Sequence, residues 1–293
     1  MTDEFASTGT TSTAGLLTMI SDQLGDQLSH VSLRSRKKAP ALVLVAHGSR
    51  DPRALATVTA LTHRIRELRP ALPVHLGHIE LNEPLLTDTL TALRPGRAVL
   101  VPLLLSRGHH VKHDIPGAAG AAEHLRTRVA APLGPHPLLV DALHDRLTEA
   151  GWPAQQSERA RRRSGVVLAA AGSRDPDAAV DIRRTADLLA HRLGVPVVPA
   201  HPGSAEAQDV PAAVRALAAR GRTRTAVAAY FTAPGRFAAQ AAAAAPGIAA
   251  APLGTHPALV RLVLHRYDTA LTGAPQTAPQ TAPHTALPDL ATV

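Results

Sequence analysis

The chain has 293 residues, 45% of them hydrophobic and 2% aromatic, with a formal net charge of +8 and no cysteine. That length suffices for one large or two ordinary domains with a sizeable core, and the missing cysteine excludes disulfides and thiolate sites, so a transition metal must be held by His or carboxylate. With almost no aromatics for base stacking, the positive charge points away from nucleic acid and toward a solvated surface or an anionic small molecule.

Residues 1–39 open with acidic side chains and have no basic stretch leading into an apolar core, and no apolar run reaches the ~20 residues that span a bilayer. A cytoplasmic protein with a flexible N-terminal arm over 1–39 is expected. From Ala41 the pattern becomes regular. An apolar run, ALVLVA, predicts a strand; GSRDP predicts a turn; Leu55, Val58, Leu61, Ile65 and Leu68 fall at helical spacing. PVHLGHIEL follows as a second strand, LLTDTLTAL as a helix and RAVLVPLLL as a third strand. A His-rich loop comes next, then IPGAAGAAEHLRTRV as a helix with Pro116 near its start, and PLLVDALHDRLTEA as a closing helix.

The order then repeats. LVAHGSRDP, ending at Pro52, returns as LAAAGSRDP, ending at Pro176, and APLGPHPLLVDALHDRL returns as APLGTHPALVRLVLHRY. A period this long indicates two tandem domains and not a solenoid. The predicted fold is α/β: duplicated domains, each a parallel sheet covered by helices on both faces. The expected organisation is a first domain over 40–150 carrying the site, a linker over 151–163 holding a solvated Arg161–Arg163 cluster, a second domain over 164–270, and a disordered tail over 271–293.

Ligands of open parallel sheets bind beyond the carboxyl ends of the strands. In the first domain those ends present His47, then Glu80, then His109 and His110; in the second, Ala171 stands for His47, and Arg236 and Phe237 stand for the His pair. A single histidine after an apolar strand reads as a core residue. Two imidazoles and a carboxylate at neighbouring strand ends read as a metal or acid–base site, suited to a borderline divalent ion. His136 and His256 recur in both halves at a G-x-H-P turn, which favours a structural role. No G-x-S-x-G, G-x-x-x-x-G-K-[ST] or G-x-G-x-x-G sequence is present, so hydrolase and nucleotide readings lack their loops.

Together, VLVAHGSRDP, HIELNEPLL and VPLLLSRGHHVKHDIP resemble the sirohydrochlorin chelatases, the ATP-independent class II chelatases of the CbiX and SirB types, in their long two-domain form. The resemblance covers Ala41 to about Leu147, and the second domain resembles a degenerate copy. It implies a chelatase-like, flavodoxin-like architecture without a resident cofactor, and insertion of Fe2+ into sirohydrochlorin, with Co2+ insertion or a non-catalytic carrier as alternatives. It further implies that His47 and His110 handle the metal, with Glu80 as ligand or proton acceptor and His109 and His113 less central. Ser49, Arg50, Ser106, Arg107 and Lys112 are candidates to pair with the anionic tetrapyrrole, since Arg binds carboxylates in a bidentate manner. The likeness implies a monomer whose two domains form the cleft, binding neither nucleic acid nor membrane.

Overall fold

A computed structural model describes residues 39–203 and 208–273. The expected arm over 1–38 and most of the tail over 271–293 lie outside the described residues. The first half contains strands β1 (Ala41–Ala46), β2 (Val74–His78), β3 (Gly96–Pro102) and β4 (Leu125–Val129). Its helices are α1 (Pro52–Leu68), α2 (Leu86–Thr91), α3 (Ile115–Ala121) and α4 (Pro137–Glu149), with a π-helical turn at His110–Asp114 leading into α3. After α5 (Glu158–Arg162), the second half contains β5 (Ser164–Ala170), α6 (Pro176–Leu193), β6 (Val197–Ala200), α7 (Val210–Ala219), β7 (Arg224–Tyr230), α8 (Arg236–Ala243), β8 (Ile248–Ala249) and α9 (Pro257–Thr272).

Each half forms a four-stranded parallel sheet, in the orders β2-β1-β3-β4 and β6-β5-β7-β8. The fourth strand departs from the sequence reading, which runs the helix through LRTRV. The helix stops at Ala121 without a Gly or Pro stop signal, Ala122 turns back to accept from Leu125 N, and Leu125–Val129 pairs with β3. Helix α8 and strand β8, in an alanine-rich stretch with little periodic contrast, are likewise absent from that reading. Leu68, placed on the buried stripe of α1, is 60% exposed, because Ile65 is the last buried residue of that helix.

Alternation along the central strands explains why both faces need cover. Leu42, Leu44, Val99 and Val101 point into one cluster, while Val43, Val45, Ala98 and Leu100 point into another with Leu86, Leu90 and Ile115 of α2 and α3. In the second half Val167, Ala169 and Val227 pack against Val210, Ala213 and Leu217 of α7, and Val166, Leu168 and Ala228 face inward.

The inward faces share one core. Helix α4, from the first half, packs on α6 and β7; α9, from the second, packs on β3 and α1; and the two helices pack on each other. A boundary at 150/164 therefore follows the chain but not the packing, since each sheet is covered by the other half's last helix. The segment expected as a solvated linker contains α5, whose Arg161 carbonyl accepts from Arg222.

Local capping agrees with the turn chemistry. Asp51 and Asp175 accept from the backbone N–H two residues on, each followed by Pro at the first helical position. His136 and His256 take the same role for α4 and α9, their Nδ1 atoms accepting from Leu138 N at 3.1 Å and Ala258 N at 3.2 Å.

Two predictions follow from this packing. Leu259 is fully buried in the shared core, so Leu259→Ala should cost about 2–5 kcal/mol and lower one cooperative calorimetric transition, not one of two separable transitions. The His136 cap requires an unprotonated Nδ1, and burial pushes the His136 pKa down. The unfolded chain thus binds more protons below about pH 6.5, and stability should fall as pH drops from there toward the folded pKa; His136→Asn, which keeps a capping acceptor, should flatten that slope in urea titrations.

Candidate metal-handling site

Three adjacent strands deliver the three predicted ligands. His47 follows the last residue of β1, Glu80 lies two residues beyond β2, and His110 opens the π-helical turn after β3. The β1–β2 ladder continues past both strands, with Ile79 N donating to Ala46 O at 2.9 Å and Glu80 N to His47 O at 3.0 Å. That continuation places the Glu80 carboxylate 3.5 Å from His47 Nδ1. His47 and His110 stand edge to face with ring centroids 4.7 Å apart.

Gly48 makes the approach of these loops possible. Its φ is +105°, and a Cβ there would run into the carbonyl oxygen of Glu80. Ser49 N donates to Asn82 Oδ1 at 2.7 Å, which latches the two loops together. Between Glu80 and Asn82, Leu81 adopts φ 65° and is 53% exposed, a conformation costing a non-glycine residue about 1 kcal/mol or more. In the second half Gly172 lies outside the positive-φ region and, among the described residues, an added Cβ would meet only His201 Cβ at 3.9 Å. Close approach therefore demands glycine at this turn only in the first half.

The partners of each ring fix its chemistry. His110 Nδ1 lies 2.5 Å from Asp114 Oδ2, and His47 Nδ1 faces Gly48 O at 3.3 Å and Glu80. Carboxylate and carbonyl oxygens only accept, so in the neutral ring each Nδ1 carries the proton and each Nε2 keeps a lone pair, the tautomer typical of metal-binding imidazoles. Among the described residues, no group of three or more His, Asp or Glu side chains is placed to hold a metal ion, so His47, His110 and Glu80 do not form the expected three-ligand set in this arrangement. The arrangement is an open imidazole pair beside a carboxylate, with side-chain exposures of 44% for His47, 33% for His110 and 49% for Glu80. His109 is 73% exposed, 3.7 Å from Asp114 Oδ1, and packs on the His113 ring.

The expected substrate cations divide. Arg50 is exposed and, among the described residues, has no ion-pair partner. Arg107 departs from expectation: its backbone N–H and guanidinium both bind Asp181, at 2.9 and 2.7 Å, and Asp181 is 1% exposed. Lys112 departs likewise, with Nζ 2.8 Å from both Asp175 and Asp177. Both cations lie against acids of the second half, and the pairing pushes the Asp175 pKa below the usual carboxylate range. Ser49 Oγ accepts from Asp51 N at 3.1 Å, and Ser106 is half-buried. Sequence reasoning missed Asp114, Asn82 and the three acids. Asp114 was detectable at i+4 from His110; the acids were not, because their partners lie far away in the chain.

Reciprocal contacts close the cleft. A Cβ on Gly108 would lie 3.6 Å from Ser173 Oγ, and one on Gly235 3.9 Å from Ser49 Oγ. The loop that bears His47 therefore abuts the loop that leads through Gly235 into α8. A pair of parallel-sheet lobes with an open imidazole pair at the strand ends of one lobe defines a two-lobed α/β protein with a candidate site in its first lobe.

The CbiX family model matches residues 41–150 and 165–270, and the chain belongs to that family. Sirohydrochlorin ferrochelatase of Bacillus subtilis is 32% identical over 163 residues, 53% of this chain and 59% of that one. Sirohydrochlorin cobaltochelatase of Methanococcus aeolicus is 36% identical over 86 residues, 28% of this chain and 60% of that one. The chain thus spans about three-fifths of the length of these curated relatives. The solved structure of SirB from Bacillus subtilis with Fe3+ superposes with a TM-score of 0.64 at 24% identity, covering 80% of this chain and 96% of that one, which establishes the shared fold.

Gly48→Ala should destabilise the protein by about 2 kcal/mol or more, through strained φ and displacement of Glu80, whereas Gly172→Ala should be near neutral; paired urea unfolding curves check the contrast.

Proposed function

We propose that this chain is a sirohydrochlorin chelatase, a monomeric cytoplasmic enzyme that inserts Fe2+ into sirohydrochlorin without ATP. The observation that carries the reading is the His47–His110 pair, 4.7 Å between ring centroids, with both Nδ1 atoms engaged and both Nε2 atoms left as donors. Fe2+ is the substrate metal. Two imidazoles hold it at partial coordination and leave positions open for exchange onto the pyrrole nitrogens.

Insertion of a divalent ion releases two pyrrole protons, so the site needs acceptors. Glu80, half-exposed and beside His47, takes one through its carboxylate, and the imidazoles freed by metal transfer relay protons to solvent. Arg50 binds a peripheral carboxylate at the rim with help from the Ser49 and Ser106 hydroxyls. Arg107 and Lys112 are offset by Asp181, Asp175 and Asp177 and are not the primary carboxylate partners.

Iron is the main reading because the ferrochelatase relative matches the larger share of this chain. Cobalt insertion is the second reading, supported by the cobaltochelatase relative. Nitrogen and oxygen donors do not separate the two ions, so relative insertion rates at equal free metal decide it.

His47→Ala and His110→Ala should each lower the insertion rate by about 100-fold or more while shifting the Tm by no more than about 3 °C, because both rings are partly exposed. Arg236→Gln and Phe237→Ala should leave metal handling essentially unchanged. The visible absorption change on mixing sirohydrochlorin with Fe2+ measures all four; a wild-type protein that binds metal without accelerating insertion would be a carrier.

A further inference from the structure

The segment that carries His110 is tied to the second half at nearly every opportunity. Thr232 Oγ1 donates to Leu103 O at 3.0 Å, and Tyr230 OH donates to Leu105 O at 3.0 Å. Arg107 N then donates to Asp181 Oδ2 at 2.9 Å. Leu103, Leu105 and Arg107 thus each present a backbone group to the second half. Five residues beyond Arg107, Lys112 Nζ meets Asp175 and Asp177, each at 2.8 Å. His110 lies between these two anchors, on the turn that contains Lys112.

The duplication gives an internal control. At the positions of Asp177 and Asp181 the first half has Arg53 and Thr57, and at the positions of Arg107 and Lys112 the second half has Pro234 and Ala239. Arg53 folds back onto Asp51 at 2.7 Å. These ion pairs thus run one way only, from acids of the half that has Ala171 and Phe237 at the His47 and His110 positions to cations that flank the imidazole of the other.

We propose that Asp177 and Asp181 are positioning residues which, through Lys112 and Arg107, hold the His110 turn against His47. The proposal rests on the chelatase reading for its catalytic consequence but not for its structural one. It also separates two roles for Lys112. If Lys112 bound a substrate carboxylate, freeing it from Asp177 would lower KM. If it positions His110, losing either partner lowers kcat alone.

The test uses the full chain with Lys112→Met, Asp177→Asn, their double variant and the conservative Lys112→Arg; the pair is solvent-accessible, so these variants should fold. In the metal-free protein with isotopically labelled histidine, the wild type and Lys112→Arg should show the His47–His110 inter-ring NOE, and the other three should lose at least half of it. In insertion assays the two single variants should each drop kcat about fivefold to tenfold with KM within twofold, and the double should drop no further. An unchanged NOE in both single variants, or a lowered KM in Asp177→Asn, overturns the proposal. The NOE needs neither metal nor tetrapyrrole, so a wild type that fails to insert metal would overturn the chelatase reading while leaving the positioning result standing or falling by itself.

Discussion

The structure depends on one covering problem. Parallel strands buried on both faces need helices on both, and the inner face of each sheet is covered in part by the last helix of the other half. Removing either half would expose Leu42, Leu44, Val99 and Val101 or their counterparts Val166, Leu168 and Ala228. The exchange of α4 and α9 converts two copies of a sheet into one body, and the cleft at the strand ends inherits its geometry from that body. Arg69–Asp268 at 2.5 Å and Tyr267 OH on Pro40 O at 2.7 Å add polar ties across the same layer.

A rigid seam frees the two cleft walls to diverge. In a symmetric pair every substitution appears on both sides, so a wall cannot lose its imidazole without the other losing it too. Within one chain, Ala171 can stand opposite His47 and Phe237 opposite His110, each answering only to its own neighbours. Relaxation of Gly172 from the tight approach that constrains Gly48 follows the same logic: β6 ends earlier than β2, and among the described residues only His201 Cβ comes near a Cβ placed on that glycine.

Much of this was legible in the sequence because it is written in local periods. The alternation of ALVLVA and RAVLVP, the Asp-Pro helix starts and the His-Pro caps specify elements from neighbouring residues alone. Strand ends then place His47, Glu80 and His110 together, since the carboxyl edge of a parallel sheet gathers the residues that follow each strand. The rest was not legible. LRTRV reads as the end of a helix until β3 offers it an unpaired edge, and the exchange of α4 and α9 leaves no trace in hydrophobic pattern, because a buried stripe does not say which sheet it faces. Arg107 and Lys112 read as free cations for the same reason: charge pairing across the chain is invisible to spacing.

The pairing of Arg107 and Lys112 sets the charge of the cleft wall beside His110. Five charged groups meet there, and the three acids of the second half offset the two cations of the first, so the wall beside His110 offers little net attraction at contact range. The pairs at Lys112 are exposed, where an ion pair contributes little to folding stability, so their effect is one of orientation. Arg107 differs, since Asp181 is buried and would be left unpaired without it, a loss of order 3 kcal/mol or more for a buried carboxylate. On the proposed chelatase reading, electrostatic capture would fall to Arg50 and the general positive field of the chain, and the paired cations would hold the His110 turn in place when an anionic macrocycle competes for them.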